Sequence, residues 1–190
     1  MILAAGGSRR LGQPKQLVPW KGTNLLNHTI REAQKVEHSD IMVVLGEPDL
    51  DLVSSLDAGI RYSFNPDWNL GMGSSIAHGI KQLDKDKYQG VILSVCDQPF
   101  ISTDNFSNLI SKFEQQKKGI IVSNYGDTIT GPPSLFASKY FERLSKLIGD
   151  VGAKGIVREH KDDVTYVCFA SGQIDIDEPK DLDRIQDYKD

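Results

Sequence analysis

Cysteine is scarce in this 190-residue chain: only Cys96 and Cys168 occur, far apart and without C-x-x-C spacing, which argues against a disulfide framework and a cysteine zinc site. That usage fits a reducing cytoplasm, the expected location. Long apolar runs are missing too. None approaches the roughly 20 residues of a membrane span, and the opening Met1-Ile2-Leu3-Ala4-Ala5 is too short for a signal-peptide core and has no basic leader. The expected protein is soluble. There is no basic excess: 22 Lys and Arg stand against 26 Asp and Glu, a formal charge of −4 with pI near 5.6. Without a clustered basic face, neither nucleic acid nor an anionic membrane is an expected partner, which points to small molecules. His28, His38, His78 and His160 lack metal-ligand spacing, and no G-x-S-x-G elbow occurs, so triad hydrolysis is not expected.

What is present is the pattern of an α/β protein. With 39% hydrophobic and 25% charged residues, the chain can bury one substantial core, and a single domain over 1–190 is expected. Short, β-branched apolar runs at 41–45, 91–95 and 119–122 read as buried strands of a mostly parallel sheet. From Thr23 onward, Leu25, Leu26, Thr29, Ile30, Ala33 and Val36 share one helical stripe. Further helices are expected at 74–83, 103–115, 139–147 and 179–187, with Thr103 as an N-cap and Pro179 in a first turn. Alternating strands and helices specify a three-layer α/β/α sandwich. Ligands of such sheets bind beyond the carboxyl ends of the strands, so the loops there are the place to look for chemistry. Glycine gathers at 6–12, 71–73, 126–131 and 149–155, all read as connections.

The first of these loops, Leu3-Ala4-Ala5-Gly6-Gly7-Ser8-Arg9-Arg10-Leu11-Gly12-Gln13-Pro14-Lys15, suits phosphate. Glycines let backbone N–H groups approach an anion, Ser8 offers a hydroxyl, and Arg10 and Lys15 bring charge. It is neither standard phosphate loop: Gln13 stands where a Walker A motif needs lysine, and G-x-G-x-x-G is missing. Asp97 follows the apolar run 91–96, which places it at the carboxyl end of a central strand beside this loop. A hard cation such as Mg²⁺ takes one or two carboxylates plus substrate phosphates, so a second carboxylate is expected nearby. An isolated strand-end aspartate is otherwise a cap or turn former, which is the reading for Asp175. Trp20 and Trp68 sit in informative loops and are left without a role, because an aromatic there anchors a loop as readily as it stacks a base.

The N-terminal segment resembles the signature L-A-A-G-x-S-x-R-[ML]-G-x-x-K of molybdenum cofactor cytidylyltransferases and related molybdopterin nucleotidyltransferases. The resemblance continues in family order through Pro19-Trp20-Lys21-Gly22 with Leu25-Leu26, then Asn65-Pro66-Asp67-Trp68-Asn69-Leu70-Gly71-Met72-Gly73-Ser74-Ser75. After these come Asp97-Gln98-Pro99, Gly149-Asp150-Val151-Gly152-Ala153-Lys154 and Asp175-Ile176-Asp177-Glu178-Pro179. Departures from the family pattern are Glu178 in place of threonine, Gly131-Pro132-Pro133, which keeps the common G-x-P spacing but puts proline where histidine is frequent, and only Met1 and Ile2 before Leu3, so that the first strand is expected to be short or the start truncated.

The resemblance implies a Rossmann-like fold of the nucleotide-diphospho-sugar transferase (GT-A) type. It also implies a Mg²⁺-dependent transfer of a nucleotide from an NTP, CTP by preference, to a molybdopterin-type acceptor, with a molybdoenzyme or its maturation factor as partner. On that basis Arg10, Lys15 and Asp97 are the catalytic candidates. Leu3, Ala4, Ala5, Gly6, Gly7, Ser8, Gly12, Lys15, Asn65, Gly73, Ser74 and Ser75 are the nucleotide-binding candidates. Gly131, Gly149, Asp150, Gly152 and Lys154 are assigned to the acceptor, and Asp97 with Asp177 to the metal. Ala5 favours the cytidylyl branch, since the guanylyl branch carries L-A-G-G. Guanylyl transfer, transfer to a sugar or polyol phosphate, and a non-catalytic cofactor carrier are the alternatives.

Overall fold

The computed structural model describes residues 1–37 and 39–185; His38 and the end of the expected 179–187 helix lie outside the described residues. Seven strands form one sheet in the order β5-β4-β1-β6-β8-β7-β9: β1 (Ile2–Ala4), β4 (Met42–Leu45), β5 (Arg61–Phe64), β6 (Gly90–Val95), β7 (Ile120–Gly126), β8 (Ile129–Ala137) and β9 (Val164–Cys168). β2 (Pro19–Trp20) and β3 (Thr23–Asn24) form a separate small hairpin. β8 alone runs antiparallel to its neighbours β6 and β7; the other sheet pairings are parallel. β6 lies fourth of the seven, so Asp97 leaves the middle of the sheet, as its apolar run predicts.

Helices α1 (Leu25–Gln34), α2 (Leu50–Ser55), α3 (Met72–Lys81), α4 (Thr103–Gln115), α5 (Phe141–Leu144), α6 (Lys154–Glu159) and α7 (Pro179–Ile185) complete the chain. Side chains alternate across a strand, and this separates the two packing faces. Leu3 and Val44 meet Ile76 and Ile80 of α3, while Ile2, Ala4, Val43 and Leu45 meet Leu26, Ile30 and Leu52 of α1 and α2. Each fully buried aliphatic stabilises the fold by about 1.5–3 kcal/mol, which is why so short a β1 is held firmly between β4 and β6. The result is the expected three-layer α/β/α arrangement with a mostly parallel sheet. Among the described residues no helix is long and apolar enough to cross a membrane.

Several local expectations are corrected. The cap of α4 is Ser102, not Thr103: the Ser102 N–H and hydroxyl both donate to Asn105 Oδ1 at 2.9 Å. Thr103 instead donates through its hydroxyl and its amide to Glu32, tying α4 to α1. The stretch 139–147 holds only a 3-10 turn and the four-residue α5. The 126–131 glycines are not one connection, because Gly126 ends β7 and Gly131 lies within β8. The glycines at 71–73 and 149–155 likewise fall partly inside helices: Gly73 belongs to α3 and Gly155 to α6.

Candidate functional site

The Gly6–Lys15 loop leaves β1 at its carboxyl end, and buried Gln16 folds it back. The Gln16 side-chain amide donates to the Ala4 carbonyl at 2.6 Å and the Gly6 carbonyl at 3.1 Å. The Ser8 Oγ accepts from the Lys15 amide at 2.9 Å, and the Ser8 carbonyl accepts from the Leu11 and Gly12 amides. Among the described residues the amides of Gly7, Ser8, Arg9 and Arg10 donate to no protein group. Such a run of spare N–H groups forms an anion-binding concavity.

Two carboxylates face this loop. The Asp97 carbonyl accepts from the Ile176 amide at 2.9 Å, which draws the 175–178 segment across the end of β6. Asp181 Oδ2 accepts from the Asp177 and Glu178 amides and so anchors that segment to the start of α7. Lys15 Nζ then lies 2.8 Å from Asp97 Oδ2 and 2.6 Å from Asp177 Oδ1. Arg10 reaches Asp177 at 2.8 Å and Glu178 at 3.7 Å, so the residue that replaces the family threonine is a further acidic neighbour of Arg10.

The electrostatics follow from this cluster. Burial by itself would lower the Lys15 pKa, but the Asp97 charge and hydrogen bonds to both carboxylates override it and hold the ammonium well above the usual lysine value. Burial acts to raise Asp177, yet the Lys15 hydrogen bond and charge, with Arg10, bring it below the usual carboxylate range. Asp175 goes the other way, raised by burial and by repulsion from Asp97 and Asp177. Burial, then the Asp97 charge, pushes the Cys96 thiol up to about 12, so no thiolate is offered here.

The loop, the carboxylates and the start of α3 enclose a cleft of about 520 Å³. Its walls include Leu3, Ala4, Ala5, Gly6, Gly7, Ser8, Arg10, Lys15, Ser75, Asp97, Asp150 and Asp177 of the residues singled out in the sequence. Gly12 is exposed and lines neither cleft, and Asn65, Gly73 and Ser74 stand behind the walls. The buried Asn65 side-chain amide donates to Ser74 Oγ at 3.0 Å and Ser75 Oγ at 3.1 Å, and the Ser74 hydroxyl has the Asp67 and Gly71 carbonyls as acceptors within reach of its one proton. The Gly73 amide donates to the Gly149 carbonyl at 2.7 Å, which joins the start of α3 to the 149–154 loop.

A second cleft of about 620 Å³ shares Leu3, Met72, Val95 and Asp150 with the first and includes Gly131, Gly152 and Lys154. Gly149 lines neither cleft and serves as the backbone contact for Gly73. The acceptor candidates thus gather beside the nucleotide candidates.

Sequence reading gave no role to Gln16, nor to Gln98 within the Asp97-Gln98-Pro99 block. The Gln98 Nε2, with two N–H groups to donate, lies within hydrogen-bond reach of the Gly172 carbonyl at 2.7 Å, Tyr125 Oη at 2.8 Å and the Pro132 carbonyl at 3.1 Å, holding the neighbouring segments behind Asp97. Gln98 stands within the Asp97-Gln98-Pro99 block and Gln16 directly after Lys15, which is the signal available; the burial that makes each glutamine useful is visible only in the fold.

The model of the MobA-like NTP transferase domain family matches residues 1–164. The chain belongs to this family. The purine catabolism protein PucB of Bacillus subtilis (strain 168) is 28% identical over 201 aligned residues, covering 98% of this chain and 94% of PucB. A probable molybdenum cofactor guanylyltransferase of Bacillus cereus is 27% identical over 157 residues, covering 78% and 70% respectively. A solved structure of Rv0371C from Mycobacterium tuberculosis H37Rv, in complex with manganese, matches with a TM-score of 0.80 at 23% identity, over 98% of this chain and 96% of that one. As a MobA-like protein the chain is a nucleotidyltransferase with a Rossmann-like fold.

Proposed function

We propose that this MobA-like protein transfers a nucleoside monophosphate from CTP to the terminal phosphate of a molybdopterin-type acceptor and releases pyrophosphate. The observation that carries the reading is the meeting of Lys15, Arg10, Asp97 and Asp177 at the mouth of the glycine loop, in a cleft that shares Leu3, Met72, Val95 and Asp150 with the second. The spare amides of Gly7 to Arg10 suit the phosphate tail of the nucleotide. The second cleft has an apolar lining, with Ile76, Leu93, Val122 and Phe136, and has Lys154 and Arg158 on its wall. That combination suits a flat heterocycle bearing a phosphate.

The Asp97 and Asp177 carboxylates direct hard oxygens at one point, and that point already holds a cation, the Lys15 ammonium. Among the described residues no group of three or more His, Cys, Asp and Glu is placed to hold a metal. A divalent ion such as Mg²⁺ needs only one or two protein carboxylates when phosphates complete its shell, so the pair fits it. When bound, it would neutralise and orient phosphate oxygens.

In the reaction an oxygen of the acceptor phosphate attacks the α-phosphorus, a new P–O–P bridge forms, and the bond to the β-phosphate breaks. Its electrons leave with pyrophosphate, and no protein nucleophile takes part. Lys15 and Arg10 place fixed charge against the developing negative charge, the kind of stabilisation that dominates phosphoryl transfer. Ala5 supports CTP through the L-A-A-G form. The name of the Bacillus cereus relative favours a second reading, guanylyl transfer to the same acceptor.

The test is pyrophosphate release with CTP, GTP, ATP and UTP, each with Mg²⁺ and with or without molybdopterin. Release that needs CTP and molybdopterin supports the proposal, and release with GTP instead supports the second reading. Nucleotide binding without release under any condition points to a carrier that serves a molybdoenzyme or its maturation factor.

A further inference from the structure

Trp68 occupies a place that two glycines keep open. A methyl group at Gly7 would stand 3.1 Å from Cη2 and Cζ3 of the Trp68 indole. One at Gly46 would stand 3.1 Å from Cγ, 3.2 Å from Cδ2 and 2.9 Å from the Ala5 carbonyl. Neither glycine has φ in the left-handed region, so the backbone conformation does not call for glycine at either position; the close approach of the ring does. Gly46 follows β4 and Gly7 lies in the phosphate loop after β1, so the half-buried indole sits between the carboxyl ends of these adjacent strands. There it lines the same cleft as Ala4, Ala5, Gly6 and Ser75.

Its backbone is held as well. The Asn65 amide donates to the Leu45 carbonyl at 2.8 Å, and the Trp68 amide to the Asn65 carbonyl at 3.3 Å. A flat, rigid ring set this firmly against backbone offers a planar face to a ligand at little cost in conformational entropy.

We propose that Trp68 determines which nucleobase the cleft accepts, its indole bounding the base beside Ala5 so that the single ring of a pyrimidine triphosphate is preferred to a purine. The inference rests on the reading that a nucleotide occupies this cleft. It predicts that removing the indole opens the base end and lets purine triphosphates in, while the phosphate loop stays intact. A single methylene in an apolar pocket alters discrimination by about 10–200-fold, so loss of the whole indole should alter it by at least about tenfold.

Two measurements test it without an acceptor. Calorimetric titration with CTP and GTP should show the CTP preference of the wild type lost by tenfold or more in Trp68→Ala. Gly46→Ala, which displaces the ring without deleting it, should move the ratio the same way. Tryptophan emission should change on CTP binding in the wild type and not in Trp68→Phe, because the other tryptophan, Trp20, is buried in the core. An unchanged CTP-to-GTP ratio in a folded Trp68→Ala variant overturns the inference, as does calorimetric CTP binding with no change in wild-type emission. Failure of every triphosphate to bind the wild type overturns the nucleotide reading itself, and this inference with it.

Discussion

Lys15 and Asp97, 82 positions apart in the chain, meet at 2.8 Å, and the same ammonium lies 2.6 Å from Asp177. The lysine therefore holds together two carboxylates that would otherwise repel each other at the centre of the proposed chemistry. Asp97→Asn keeps the shape and removes the charge. It should lower nucleotidyl transfer by about 10²–10³-fold, the cost of deleting one preorganised electrostatic group, with an unchanged far-ultraviolet circular dichroism spectrum. Full pyrophosphate release by the folded variant would remove Asp97 from the mechanism.

Asp177 and Asp175 should affect stability with opposite signs. Asp177 titrates below its unfolded value, so its contribution is complete above the ordinary carboxylate pKa of about 3.9 and is lost as pH falls through the lower folded value. Asp177→Asn should melt below the wild type at pH 7 and converge with it in acid. Asp175 titrates above its unfolded value, so its charge opposes folding at neutral pH. Asp175→Asn should melt slightly higher at pH 7, by less than about 1 kcal/mol because solvent screens the site, and this gain should vanish below pH 4. Calorimetric melting of both variants at pH 7 and pH 3 checks the pair of signs.

Gly73 has no room for a side chain. A methyl there would stand 2.8 Å from the Ile148 carbonyl carbon and oxygen and 2.9 Å from the Gly149 oxygen, all of them backbone. Gly73→Ala should therefore separate the start of α3 from the 149–154 loop and destabilise by about 1–3 kcal/mol, seen as a fall in Tm of several degrees. Since this contact lies next to Met72 and Asp150, which line both clefts, transfer should fall more than nucleotide binding does.

The two thiols should differ sharply in reactivity. Cys168 is exposed, whereas Cys96 is buried with its thiol pushed up to about 12. A thiol reagent at pH 8 should modify one cysteine quickly in the native protein and the second only on unfolding. Rapid native labelling of Cys96 would contradict the packing of β6.

Hydrophobic patterning alone placed β4, β6, α1 and α4, because a strand or helix buried on its packing face leaves an unbroken or regularly spaced apolar record. The same logic set Asp97 at the end of a central strand. β5 and β9 escaped it because they are the two edge strands, only partly buried, with mixed side chains. β8 escaped it because Gly131-Pro132-Pro133 reads as a turn, yet lies inside a strand paired to β6 and β7. The charge of the glycine-rich loop pointed to Lys15, and sequence resemblance named Asp177. Their convergence with Asp97 was a tertiary decision: the Ile176 amide bonds to the Asp97 carbonyl, Asp181 anchors the segment, and the buried Gln16 and Gln98 amides position the surrounding loops. Local periodicity records which face of an element avoids water. Which loops share a cleft depends on hydrogen bonds between segments far apart in the chain, and short-range pattern carries no trace of those.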